Sequence, residues 1–321
     1  MPSAGPQDVS IVELLTAINQ RYSEQLAVRI KEGDHFRALS YRQLGQRTAD
    51  TAHGLKQLGV LKGDRVAILS ESRPEWVVAF FGSISCGGIV VPLDIKLSEA
   101  EISFILKDSA ASTLVVSAKL LEKGLRVKPS LPALEHLICL DDVGPPDVDR
   151  LDSFRRPGEA LAPSDVNSED TALIVYTSGT TGVAKGVELT FANLLFEAMS
   201  IQQYNRLSPD DRFLSILPLN HMLELTGGLI GPLYAGASIT YCDSLKPPVI
   251  MRLLQETQTT VMVCVPLVLK MLHSAILKHV EDLTSVQRGL FGRLLGLSKF
   301  LLNFNVRIWR LFFPSLHKQF G

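Results

Sequence analysis

The sequence predicts an α/β fold of layered, mostly parallel sheets flanked by helices. Short β-branched or aliphatic runs alternate with helix-length segments from Arg65 onward, the rhythm of strand–crossover–strand units. The chain has 321 residues, 46% of them hydrophobic and 20% charged, enough to bury a large core and unlike a disordered chain. It also shows no tandem repeat or low-complexity tract.

The elements follow in order. Arg65–Leu69 reads as a strand, and Pro74 opens a helix at its first turn, where the missing N–H costs nothing. The stretch from Trp76 to Leu93 is uncharged and long enough to suggest a membrane span. Gly82, Gly87, Gly88 and Pro92 would break a spanning helix, so it reads as a buried helix, a glycine turn and a buried strand, Ile89–Leu93. Ser98 with Glu101 forms a capping box for a helix reaching Asp108. Thr113–Val116 and His136–Leu140 are further strands. Asp141–Asp170, with Gly144 and four prolines, Pro145, Pro146, Pro157 and Pro163, reads as a linker or surface excursion. It divides the chain into one α/β sub-domain at 1–170 and a second at 171–321. In the second, Thr171–Tyr176, Val187–Leu189, Phe213–Ile216 and Val261–Pro266 read as strands, and Thr190 caps a helix from Phe191.

Charge and cysteine usage narrow the function. Basic and acidic residues number 32 and 33, a formal net charge of -1, which offers no global field for nucleic acid. Cys86, Cys139, Cys242 and Cys264 form no CxxC pair and sit in apolar company, as buried reduced thiols do. Met1–Gln7 has neither a basic start nor an apolar core, so no signal peptide is read and a cytoplasmic protein is expected.

The segment from Tyr176 to Gly186 carries the chemistry. Gly179 and Gly182 let backbone N–H groups converge into an anion nest. Thr177, Ser178, Thr180 and Thr181 add hydroxyl donors, and Lys185 adds a mobile point charge suited to a polyphosphate. No Gly-Lys-Ser/Thr follows a four-residue gap, so this is not a Walker A loop. Further on, Leu217-Pro218-Leu219-Asn220-His221-Met222-Leu223-Glu224 follows a strand. Gly227, Gly228, Gly231 and Gly236 then lie in an apolar run, where small residues would admit either an acyl tail or a close helix.

At Tyr176–Gly186 the chain resembles the acyl-adenylate-forming superfamily of acyl-CoA synthetases, adenylation domains and luciferases, whose signature reads Tyr-Thr-Ser-Gly-Thr-Thr-Gly-x-Pro-Lys-Gly. Ala184 replaces the proline and removes no donor. Leu39–Leu44 and Cys86–Asp94 are similar to two earlier segments of that family, in the family's order, and Leu217–Glu224 is similar to the Leu-Pro-Leu-x-His-x-x-Glu of its long-chain branch. The resemblance implies an incomplete large N-terminal domain of such an enzyme. It also implies ATP held by Thr177, Ser178, Gly179, Thr180, Thr181, Gly182 and Lys185, with His221 and Lys185 catalytic. His221, Glu224, Gly227 and Gly228 would lie toward the acid substrate.

The reaction implied is attack of a fatty-acid carboxylate on the α-phosphate of ATP, with Mg²⁺ offsetting phosphate charge, then capture of the acyl group by CoA. A carrier-protein thiol as acceptor, a fatty-acyl-AMP ligase, and a non-catalytic nucleotide- or lipid-binding fragment are the alternatives. The family's adenine wall, its Mg²⁺-binding glutamate, its ribose-binding aspartate and its small C-terminal domain are not found before Gly321. No metal ligand is therefore assigned. The expectation is a fragment or an inactive relative, poorly stable by itself. Residues 288–321 carry basic and apolar side chains and no acidic one, which fits peripheral contact with an inner membrane face or a helix packed on the body.

Overall fold

A computed structural model describes residues 11–156, 166–178, 184–281 and 284–302. Its strands are β1 Leu26–Glu32, β2 His35–Ser40, β3 Arg65–Leu69, β4 Ile89–Leu93, β5 Ala111–Val116, β6 His136–Cys139, β7 Asp149–Arg150, β8 Thr171–Ser178, β9 Ala184–Thr190, β10 Arg212–Ser215, β11 Ser238–Tyr241 and β12 Val261–Met262. The helices that matter to the site are α1 Ile11–Arg21, α2 Tyr41–Gln57, α3 Pro74–Ser85, α4 Glu99–Asp108 and α5 Leu121–Val127, followed by α6 Phe191–Asn205, α7 Met222–Glu224, α8 Gly231–Ala235, α9 Pro247–Thr257, α10 Pro266–Glu281 and α11 Ser285–Leu302.

The strands form two sheets, one ordered β12-β10-β11-β1-β2 and the other β7-β6-β5-β3-β4-β8-β9. Pairing is parallel except at the two hairpins, β1–β2 and β8–β9, so the predicted α/β class stands. The β1–β2 hairpin turns through Gly33 and Asp34, with Gly33 at φ +60°, the left-handed region that glycine enters without steric cost. Both sheets draw strands from either side of residue 170.

Helix α3 is buried along its whole length and contacts α2, β1, β3 and β4, between the two sheets. A helix apolar all round belongs in such a layer. Trp76 stacks on Phe80 with centroids 5.3 Å apart, and Phe81 meets Phe80 edge-on. The α2–α3 crossing is tight: a Cβ on Gly82 would sit 2.5 Å from Thr51 Cγ2. Among the described residues no helix is long and apolar enough to cross a membrane. All four cysteines are free thiols, and burial pushes the Cys86 thiol up to about 11.

Capping signals translate directly. Ser40 with Gln43, Ser98 with Glu101 and Thr190 with Asn193 each complete a reciprocal box at the start of α2, α4 and α6; an N-cap of this kind contributes about 1 kcal/mol.

Two expectations are corrected. Asp141–Asp170 is no free linker in its described parts. Val148, Leu151, Phe154 and Val166 are buried, β7 extends the larger sheet, and Phe154 packs so closely on α2 that a Cβ on Gly54 would lie 2.2 Å from its ring. Prolines and charges mark the turns, but the intervening apolar side chains hold the segment down. Val261–Pro266 yields only the two-residue, half-buried strand β12 at a sheet edge, because Pro266 starts α10.

Candidate active site

The β8–β9 hairpin delivers the predicted phosphate loop. Residues 179–183 lie outside the described residues, so the readings of Gly179, Thr180, Thr181 and Gly182 rest on sequence; of Ser178 only the backbone is described. Thr177 pairs with Lys185 across the hairpin, and both are exposed at the end next to the connecting residues 179–183. Gly186 lies opposite Tyr176, where a Cβ would come within 3.2 Å of the tyrosine ring. The missing side chain lets that ring lie over the neighbouring strand. The Tyr176 hydroxyl donates to Asp108 Oδ2 at 2.6 Å, tying the hairpin to the end of α4.

Period-two alternation puts Thr177 and Val175 of β8 on the same face as Lys185, Val187 and Leu189 of β9. That face walls a cavity of about 510 Å³, lined also by Leu194 and Phe196 of α6 and by Met222, Leu223 and Thr226. The lining is mainly apolar but includes Asn193 and Glu197, and it reaches Thr177 near the 179–183 connection of the hairpin.

The His221 segment is fixed to the larger sheet by Ser72, just beyond β3. Its hydroxyl donates to the Leu217 carbonyl at 3.3 Å and accepts from the Leu219 amide at 3.1 Å. His221 stands before α7, 60% exposed, with Nε2 4.0 Å from Asp94 Oδ2 at the end of β4. The C-terminal ends of β3, β4 and β8 and the loop after β10 therefore converge, the usual address of a ligand site in such sheets.

Glu224 faces the opposite way. It is fully buried, and burial raises its carboxyl to about 7, with the neighbouring Ser215 hydroxyl acting in the opposite sense. The open side of Gly228 is occupied by that carboxylate, a Cβ there meeting Oε1 at 2.4 Å. Gly227 faces Val263, and Gly231 packs on Ile201. Sequence reasoning did not single out Ser72, Ser215, Tyr241 or Phe196. Asp94 was named only as the end of a quoted segment. These side chains meet the site from distant parts of the chain, and local periodicity carries no record of that.

The two-sheet α/β body places the β8–β9 hairpin beside the His221 turn. The chain matches the AMP-binding enzyme family over residues 15–296, and it belongs to that family. It is 30% identical over 238 residues to the crotonobetaine/carnitine–CoA ligase of Escherichia coli O9:H4 (strain HS), a match covering 73% of this chain and 46% of the relative. The chain thus spans about half the length of the curated relatives it matches. Its fold is similar to ATP-bound MatB from Rhodopseudomonas palustris, with TM-score 0.70, 25% identity and coverage of 88% of this chain and 53% of the other. It is also similar to the anthranilate CoA ligase AuaEII in complex with anthranoyl-AMP, with TM-score 0.72, 25% identity and coverage of 81% and 51%.

Among the described residues no group of three or more His, Cys, Asp or Glu could hold a metal ion.

Proposed function

We propose that this chain carries the ATP- and acid-binding part of an enzyme that activates a fatty-acid-type carboxylic acid as acyl-AMP and passes the acyl group to CoA. The observation that supports this reading is the shared cavity. The β8–β9 hairpin and the turn after His221 wall one mainly apolar space of about 510 Å³, within the usual size of a small-molecule site. Val175, Val187, Leu189, Leu194 and Leu223 suit a hydrocarbon tail and outnumber the polar Asn193, Glu197 and Thr226 in the lining, which is the reason for preferring a fatty acid to a polar one.

On this reading a carboxylate oxygen forms a bond to the α-phosphorus, the bond to the bridging oxygen breaks, and pyrophosphate leaves. The thiol of CoA then attacks the acyl carbonyl, its proton is lost, and AMP departs. Lys185 offsets charge on the phosphates, and an imidazole N–H of His221 orients the attacking carboxylate. The expected effect of Lys185→Ala is a 10- to 100-fold loss of ATP affinity by titration calorimetry, about the worth of a charge-assisted contact of roughly 1.5–3 kcal/mol. Unchanged affinity would remove the lysine from the nucleotide site.

The reading extends to the surface of α11, which carries Arg288, Arg293 and Lys299, no acidic residue, and exposed Val286, Leu290, Leu295, Leu297 and Phe300. Peripheral contact with an anionic membrane follows from that composition. In vesicle co-sedimentation, Arg293→Gln/Lys299→Gln should weaken binding to anionic vesicles about 30-fold, roughly 1 kcal/mol per charge. Equal pelleting of variant and parent, or equal pelleting with neutral vesicles, would refute the contact.

A further inference from the structure

Behind the His221 turn, four polar atoms are buried without a hydrogen-bonding partner: Ser215 Oγ, both carboxylate oxygens of Glu224, and the Tyr241 hydroxyl. Ser215 and Tyr241 are direct register partners on β10 and β11, so their side chains leave the smaller sheet on the same face. Glu224 belongs to the turn that His221 opens: its amide and that of Leu225 both donate to the His221 carbonyl, at 3.0 and 2.9 Å. The residues that follow, Leu225–Ile230, wind as a π-helix, a local widening common at functional sites. Within it Gly228 leaves the volume that the carboxylate fills.

The arrangement is costly for a core, and it gathers both oxygens of a carboxyl group with two hydroxyls at one place. An ionised carboxylate here would have Tyr241 as the titratable side chain facing it from the sheet and His221 as the titratable side chain of its own turn. No described Lys, Arg or His pairs with it. A neutral carboxylic acid can donate to one hydroxyl and accept from the other, which would satisfy the group without burying a charge.

We propose that Glu224, lodged as a neutral acid over Ser215 and Tyr241, is a positioning residue that pins the turn carrying His221 at the mouth of the acid cavity. The inference rests on the reading of His221 given above. Loss of its proton places an uncompensated charge against the sheet and drives the turn toward water, carrying His221 away from Asp94.

Met222, between the two residues, supplies a local probe. The ¹³C-methyl resonance of Met222 in the full chain, assigned with Met222→Leu, should move with an inflection near pH 7 in the parent. The inflection should persist in His221→Gln, which removes the imidazole titration, and vanish in Glu224→Gln, which keeps shape and neutrality. Infrared spectroscopy at about pH 6, where ordinary carboxyl groups are ionised, should show a protonated-carboxyl C=O band that Glu224→Gln abolishes. An absent inflection, one that survives Glu224→Gln or disappears in His221→Gln, or an absent carboxyl band would each overturn the proposal. Failure of Lys185→Ala to weaken ATP binding would strike the functional reading and leave these signals untouched, so the two failures are separable.

Discussion

Glu75→Ala is expected to destabilise the chain by about 3–5 kcal/mol, the usual result of removing one partner from a buried charge network. Glu75 sits in the first turn of α3 and is 3% exposed. Arg37 of β2 donates to its Oε1, Arg73 donates to its Oε2 at 2.8 Å, and Arg47 of α2 approaches at 3.6 Å. Arg73 also forks onto Asp141 at 2.7 and 3.1 Å. One carboxylate thereby ties a strand of the smaller sheet to two helices and to the end of β6 in the larger sheet. Its truncation leaves guanidinium groups facing one another across the layer that separates the sheets. Denaturant melts of parent and variant measure the loss, and a difference below about 1 kcal/mol, the range of an exposed pair, would show that the network contributes little.

Between about pH 4.5 and pH 7 the chain should lose on the order of 3 kcal/mol of stability through Glu224 alone, and Glu224→Gln should abolish that slope. The sign follows from the raised carboxyl, which lies at about 7 in the fold against an ordinary value of 4.5. Below the ordinary value both folded and unfolded chains hold the proton. Above it the unfolded chain ionises while the folded one stays neutral, so stability falls as pH rises, until the folded carboxyl also ionises near 7. Asp141 acts in the opposite sense. Its burial penalty is outweighed by hydrogen bonds from Arg73 and the Ala118 amide, which hold it below the ordinary range. Because Asp141 is common to parent and variant, the difference between their pH profiles isolates Glu224. Parallel profiles would mean that the carboxyl ionises at its ordinary pH.

Much of the architecture was legible beforehand because it is local. The strands β3 to β6, β8 and β10 were found within a few residues of their ends. A β-branched run flanked by helix-length segments depends on neighbours that the sequence displays. The capping box of Ser98 with Glu101 and the cap at Thr190 were legible for the same reason, since a cap and the helix it starts are adjacent in the chain; the reciprocal Asn193 was not anticipated. β1, β2 and β11 were not anticipated. The first two form a hairpin of mixed polarity, and β11 is a four-residue strand held between β10 and β1, the latter some two hundred residues away in the chain. The linker reading of Asp141–Asp170 failed because Gly and Pro mark turns without saying whether the segment between them is anchored.

The candidate site divides along the same line. Local composition was enough to read Tyr176–Gly186 as a candidate phosphate loop with Lys185, because a donor-rich turn and its flanking strands are contiguous; His221 was singled out only through the resemblance of Leu217–Glu224 to a family segment. The tertiary structure alone decided that Asp94 stands beside His221, that Ser72 anchors the histidine segment, and that Glu224 turns inward onto Ser215 and Tyr241. Those relations depend on which strands become neighbours. A residue's periodicity shows the face it occupies but not what that face will meet.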